Sequence, residues 1–381
     1  MVSTAPGRIP GHADGLDARM PAMRFDLFNE LSVPSAGDRS ERAVFEDTLA
    51  QWVLAESLGF STGWLVEHHF MPEYSHSTAP ELFLAAASQR TQRLRLGHAI
   101  VPLPYHHPIR VAERLATLDV LSGGRVEFGF GRGFSPQEYQ AFGREMRDSR
   151  SYAEESLAVI RQAFADGRVN FRGQHFDFAD LAVLPRPLQQ PHPPIWTAAV
   201  SPDSFELAAR QGIGVLVGPF KPWFMVREDI RCYREAWQRQ HGGAADDPRL
   251  NPRVAMTIGI HCHDDQRTAR RQARDGLVWF YRQLLGQTRG VLERLYEGYE
   301  YYRRFGAFHG LMGKALTLGT LETLGMTVVG NPDHCIERLS ALKAAGVDHV
   351  MLAFGAGVLP QTQTVDAMHL FAERVMPAFT D

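Results

Sequence analysis

Four short stretches of the sequence hold the side chains best suited to chemistry. The first, Trp64-Leu65-Val66-Glu67-His68-His69-Phe70, ends an apolar run on one carboxylate and two imidazoles. Imidazole titrates near neutral pH, so a histidine here can take a proton from a bound molecule or give one to it. Neighbours along a strand point to opposite faces, which lets at most one of His68 and His69 face a common site if the strand runs that far. Backbone or loop partners that simply satisfy both rings explain the pair equally well. A metal is a third option, although the spacing lacks the i, i+4 arrangement of a helical zinc site.

The second stretch, Gly129-Phe130-Gly131-Arg132-Gly133, combines glycines that let backbone approach a ligand with a planar guanidinium suited to phosphate oxygens. It lacks the third glycine and the later acid of a dinucleotide-binding fingerprint, and a tight turn with a solvated arginine accounts for it equally well. In the third, Val200-Ser201-Pro202-Asp203-Ser204, Ser201 suits a helix N-cap and Pro202 the first helical position. A helix start with the hydroxyls of Ser201 and Ser204 fits a phosphate monoester. Asp203 opposes an anion, and plain capping is the other reading. The fourth, Gly97 to Pro104, carries small and branched apolar residues that form either a flat wall for a planar ring or ordinary core.

All four stretches lie where a β-rich run ends. Strand candidates are Arg24–Phe28, Thr62–Glu67, Leu94–Val101, Arg125–Phe130, Pro194–Ala199, Val215–Val217, Arg253–His261 and His349–Phe354, with amphipathic stretches between most of them. Eight such units predict an α/β fold, a (β/α)8 TIM barrel, whose functional groups gather at the C-terminal ends of the strands. Strands four and five are neighbours in such a barrel. Arg132 and the Ser201/Ser204 helix start then converge on one anion, with Arg150 a further candidate from the intervening segment. A hairpin about Arg172-Gly173 reads as an insertion after the fourth unit. The interval from about Leu285 to Met326, before the last strand, reads as a lid or binding loop.

Composition narrows the partners. Forty Lys and Arg against 43 Asp and Glu leave a formal net charge of -3, which gives no footprint for nucleic acid or an anionic membrane. Three separated cysteines suggest neither a disulfide framework nor structural zinc, so a reducing cytoplasm fits best. The polar residues 1–22 have no apolar core for a signal or membrane helix and read as a mobile tail, leaving 23–381 as one barrel domain.

Taken together, these stretches resemble the flavin-dependent monooxygenase family typified by the α subunit of bacterial luciferase. The resemblance runs from Met23 to about Phe379 and is carried by Trp64 to Phe70, by Leu103-Pro104 with His107-Pro108-Ile109-Arg110, and by Phe128 to Gly133. It extends through Phe142-Gly143 with Asp148-Ser149-Arg150 and Val329-Gly330-Asn331-Pro332 with Cys335-Ile336. It implies flavin mononucleotide (FMN) at the barrel mouth, its phosphate on Arg132, Arg150, Ser201 and Ser204, and its ring against a cis Ala99–Ile100 peptide. His68 falls on the family's catalytic imidazole; Trp279 matches an aromatic beside the ring, and Glu138 an acid near the pocket. Phe70 is a further candidate for the substrate pocket, as are Tyr105, Phe134, Phe220 and Trp223.

The reaction implied is oxygenation of a small organic substrate by O2 and reduced FMN, through a C4a-(hydro)peroxyflavin, with a separate flavin reductase as partner and a homodimer as the assembly. Gly131 stands where luciferase has a reactive thiol, which removes thiol chemistry, and Gly218-Pro219 replaces an aromatic expected after strand six. Two alternatives stand beside this one. A deazaflavin (F420)-dependent oxidoreductase would transfer hydride without oxygen, and a non-catalytic flavin-binding protein would bind without turnover.

Overall fold

Strands that meet helices on one side and a filled barrel on the other need apolar residues on both faces, and the short runs of this chain supply them. A computed structural model describes residues 22–35, 39–242, 247–298 and 316–380. In chain order it begins with β1 (Arg24–Asn29), α1 (Glu41–Leu58), β2 (Thr62–Leu65), α2 (Pro80–Ser88), β3 (Arg95–His98), β4 (Val101–Pro102), α3 (Pro108–Ser122) and β5 (Val126–Gly131). There follow α4 (Pro136–Ala141), α5 (Ser149–Asp166), the pair β6 (Arg168–Arg172) and β7 (Asp177–Ala182), then β8 (Ile195–Ala198), α6 (Pro202–Arg210) and β9 (Gly214–Val217). The last part holds α7 (Trp223–His241), β10 (Val254–Cys262), α8 (Gln266–Gly298), α9 (Leu318–Thr323), β11 (Thr327–Gly330), α10 (Pro332–Ala344), β12 (His349–Ala353) and α11 (Gln361–Arg374).

Parallel pairing runs β1-β2-β3-β5-β8-β9-β10-β12 and returns to β1, where Phe25 is paired with Val350. The sheet is therefore a closed eight-stranded TIM barrel with no exposed edge along this path. The units are punctuated as the sequence suggests: Ser40 caps α1, Gly59 ends it at φ 88°, and Gly123 ends α3 at φ 71°.

Glycine also shapes the core. Trp64, on β2, occupies the space beside Gly97 of the neighbouring β3, where an added Cβ would lie 2.2 Å from the indole. Trp64 donates to Asp26 at 2.9 Å and meets Trp196 edge-on at 5.5 Å between centroids, so the barrel interior is filled by aromatic rings tied to buried carboxylates.

Three features differ from the sequence expectation or extend it. The run Leu94–Val101, read as one strand, is divided into β3 and β4 at the Ala99–Ile100 peptide, which is cis. An antiparallel hairpin, β6–β7, sits between α5 and β8, with Arg168 opposite Ala182. β11 was not counted among the strands. It pairs with Gly259–Cys262 of β10, beyond the Val254–Met256 portion that pairs with β9, and four residues at the tail of a long insertion give little periodicity to read. Part of the expected lid, residues 299–315, lies outside the described residues, as does the expected tail, residues 1–21.

Candidate active site

The strand ends of β1, β2, β3, β5, β8 and β9 open into one cavity of about 750 Å³, within the usual range for small-molecule sites. His68, just past β2, lines it, whereas His69 turns away to contact Glu67 at 3.1 Å and the Phe142 ring at 4.8 Å. β2 ends at Leu65, so both histidines lie in the loop after it, and one imidazole, not two, reaches the cavity wall.

His68 stands between two carboxylates. Its Nδ1 lies 3.7 Å from Glu138 Oε1, and its Nε2 lies 3.9 Å from Glu30 Oε2. Burial alone would depress the imidazole, but the carboxylates of Glu138, Glu30 and Glu67 outweigh it and hold the pKa above the ordinary histidine value. Glu138 is fixed by accepting from the His69 backbone N–H at 2.8 Å and from the Tyr105 hydroxyl at 2.9 Å. Burial raises Glu30, against the pull of His68 and of the Tyr74 hydroxyl, which donates to it at 2.7 Å. Glu67 is driven up by burial yet ends below the usual carboxylate range because His106 and His69 bond it. The result is an imidazole whose charged form is favoured, walled by acids.

The same cavity carries groups suited to an anion. Arg132 and Arg150 line the cavity with Ser201 and Ser204 of the α6 start, so the groups expected to meet a phosphate share one cavity. Arg132 is exposed, makes no salt bridge among the described residues, and leaves its backbone carbonyl to accept from the Tyr139 hydroxyl. Arg150 has only a 4.0 Å approach to Glu154. Ser201 and Ser204 form a capping box: Ser204 N–H donates to Ser201 Oγ at 3.4 Å, and the Ser201 N–H donates to Ser204 Oγ at 2.9 Å. Ala99 and Ile100 form a further part of the wall.

Glycines keep this space open. A Cβ on Gly131 would lie 2.8 Å from Ile100 Cδ1, and one on Gly133 would lie 2.3 Å from the Tyr105 hydroxyl. A cationic and hydroxyl-bearing rim joined to an apolar ledge fits a phosphorylated planar cofactor such as FMN. Among the described residues no group of three His, Cys, Asp or Glu side chains could hold a metal, and no helix is long and apolar enough to cross a membrane.

Four expected pocket residues stand elsewhere. Phe70 is 49% exposed and packs beside His69 and Phe142, because the chain turns at φ 60° there and carries the ring outward. Trp279 packs against the second core cluster near Gly357, held on the far side of α8 from the cavity-lining Leu284 and Thr288 positions, and does not line the cavity. Phe134 and Phe220 do line it; Tyr105 and Trp223 do not. Sequence reading missed Glu30 and Tyr74. Glu30 immediately follows β1, so the rule that strand ends carry function would have found it.

Comparison with known proteins agrees with this geometry. The family model described as luciferase-like monooxygenase matches residues 23–349. An uncharacterized protein of Sinorhizobium fredii is 39% identical over 59% of this chain and 63% of its own length. Limonene 1,2-monooxygenase of Rhodococcus erythropolis is 29% identical over 85% of this chain and 79% of that one. A crystal structure of a monooxygenase from Streptomyces bottropensis superposes with a TM-score of 0.78 at 28% identity, covering 94% of this chain and all 100% of the other. Two cofactor types occur on the same fold. An FMN complex of the oxygenating constituent of 3,6-diketocamphane monooxygenase from Pseudomonas putida (21% identity, TM-score 0.71) and an F420-dependent reductase from Methanopyrus kandleri (22%, 0.65) each cover over nine-tenths of both chains and share the architecture alone. The chain belongs to the luciferase-like monooxygenase family and is an oxidoreductase.

Proposed function

We propose that the protein is the oxygenase component of a two-component monooxygenase, which takes reduced FMN from a separate flavin reductase and oxygenates a small organic substrate with O2. The observation that carries this reading is the meeting of Arg132, Arg150, Ser201 and Ser204 with His68 in one cavity, alongside Ala99 and Ile100. When bound, reduced FMN supplies the electrons that activate dioxygen.

The chain supplies the rest. Arg132 and Arg150 pair with the phosphate, and the Ser201 and Ser204 hydroxyls rotate from their mutual bonds to donate to it. Ala99 and Ile100 bear on the ring, and Phe134 and Phe220 exclude water from the reacting face. His68 holds a proton at Nε2 and transfers it to the reacting molecule. The assembly proposed is a homodimer working in the cytoplasm.

Support for a flavin comes from a relative named as the oxygenase component of a flavin-dependent trigonelline monooxygenase, from Acinetobacter baylyi, 31% identical over 52% of this chain and 54% of that one. Oxygen uptake by the purified protein with enzymatically reduced FMN and candidate substrates tests the reading. Substrate-dependent oxygen incorporation supports it; hydride transfer from reduced F420 without oxygen consumption would replace it.

A further inference from the structure

Glu30 separates two cavities. On one side is the large cavity at the barrel mouth; on the other is a small one of about 30 Å³, with Asn29, Ser32, Arg39, Thr48 and Gln51 among its walls. A water needs roughly 10–15 Å³ of such space and polar partners, and this cavity provides both. Arg39, one of its walls, pairs with Asp47 at 2.6 Å, and the two side chains are 28% and 31% exposed. The Glu30 carboxylate is itself buried. Oε1 accepts from Tyr74, while Oε2 has no hydrogen-bond partner among the described residues and is the oxygen that faces His68 Nε2 at 3.9 Å.

We propose that Glu30 is a proton-relay residue that acts through His68, passing protons between His68 and bulk water by way of the small cavity, a path separate from the mouth that admits cofactor and substrate. The proposal rests on the reading of His68 given above. After Nε2 of His68 gives its proton to a bound molecule, the Glu30 carboxylate takes up a proton delivered by water in the small cavity, and that O–H bond breaks as a new N–H bond forms at Nε2. The carboxylate is thereby regenerated, and the net change is one proton moved inward. A turn of the Glu30 side chain or one bridging water closes the 3.9 Å gap.

Several other groups set the local field. Glu67 and Glu138 also face His68, and Tyr74 bonds Glu30 with Tyr281 of α8 behind it. His69 and His106 hold Glu67, Tyr105 holds Glu138, and Arg39 lines the small cavity with Glu30. Burial raises the proton affinity of Glu30 above that of an ordinary carboxylate, against the pull of His68 and Tyr74, so it gains a proton more readily once the His68 charge is gone.

Glu30→Gln in the full-length protein keeps an acceptor for Tyr74 but removes the charge and the transferable proton. Histidine NMR on the flavin-free variant, with the His68 signal assigned by His68→Gln, is expected to show the His68 midpoint about one unit lower. Turnover with reduced FMN is expected to fall about tenfold above that midpoint and to recover in part on adding formate, a small diffusible acid. An unmoved midpoint with turnover near that of the unaltered protein would overturn the proposal, as would a loss that formate does not relieve. Thr48→Leu, which fills the small cavity, is expected to slow turnover in a formate-relieved way without moving the midpoint; full turnover there would remove the route. If the unaltered protein consumes no oxygen with reduced FMN, the functional reading fails, while the NMR titration still decides whether Glu30 and His68 are coupled.

Discussion

His68 Nδ1 and Glu138 Oε1 face one another at 3.7 Å, although one residue follows β2 and the other sits in the first turn of α4. The Ser135 N-cap starts that helix and presents Glu138, whose two oxygens are then fixed by the His69 N–H and the Tyr105 hydroxyl. The acid is held rigidly, so its charge acts on His68 without freedom to relax away. Glu138→Gln keeps the acceptor and removes the charge. Because a nearby anion favours imidazolium, the raised His68 pKa should drop, and the pH–rate limb that follows His68 should move to lower pH. An NMR titration of the histidines checks this without any turnover.

Removing the imidazole separates proton transfer from cofactor binding. His68→Ala is expected to lower turnover by about 100-fold or more while leaving FMN affinity within about twofold, since the ring makes none of the phosphate contacts. Flavin titration beside steady-state oxygen uptake measures both quantities.

Arg132 is the counterpart for the phosphate. Arg132→Ala is expected to raise the dissociation constant for FMN by about tenfold or more, the usual worth of a hydrogen bond to a charged group. Riboflavin, which lacks the phosphate, should bind the variant and the unaltered protein alike. Equal FMN affinities by fluorescence titration would remove the phosphate role of this arginine.

The barrel interior makes a prediction about stability. Gly97→Ala drives a methyl to within 2.2 Å of the fully buried Trp64, which is itself tied to Asp26 and packed on Trp196, so the indole has little room to yield. Overpacking of this kind costs about 1–3 kcal/mol, read as a lowered urea midpoint with unchanged slope.

His98 links folding to acid. It is buried, its Nδ1 has no partner among the described residues, and burial pushes its pKa down to about 4 from the ordinary 6.5. The folded state therefore binds the proton less well than the unfolded chain. The stability that the neutral ring contributes is complete above pH 6.5 and is lost as pH falls from there to about 4, at about 1.4 kcal/mol per unit. Urea titrations across that window should show a shallower pH slope for His98→Gln.

Much of this arrangement was legible before any coordinates. All eight barrel strands were visible because each is a short apolar run closed by Gly, Pro or polar residues, and the third was seen without its break. His68, Arg132, Ser201 and Ser204 were visible because each sits at a strand end or helix start. Phe70 and Trp279 were misplaced for a different reason. A ring's direction depends on a single φ at Phe70 and on the rotation of a long helix at Trp279, and neither leaves a trace in residue type. Glu30 was passed over because one acid after a strand looks like solvated loop until burial shows Tyr74 and His68 around it.

The proposed site is one cavity that grips a phosphate and presents a redox ring to His68. A crystal structure of the protein soaked with FMN tests it most directly. The phosphate should lie within hydrogen-bond distance of Arg132 and of the Ser201 and Ser204 hydroxyls, with the ring seated against Ala99 and Ile100 and facing His68. Flavin density elsewhere, or a phosphate that none of these three side chains touches, would contradict the account.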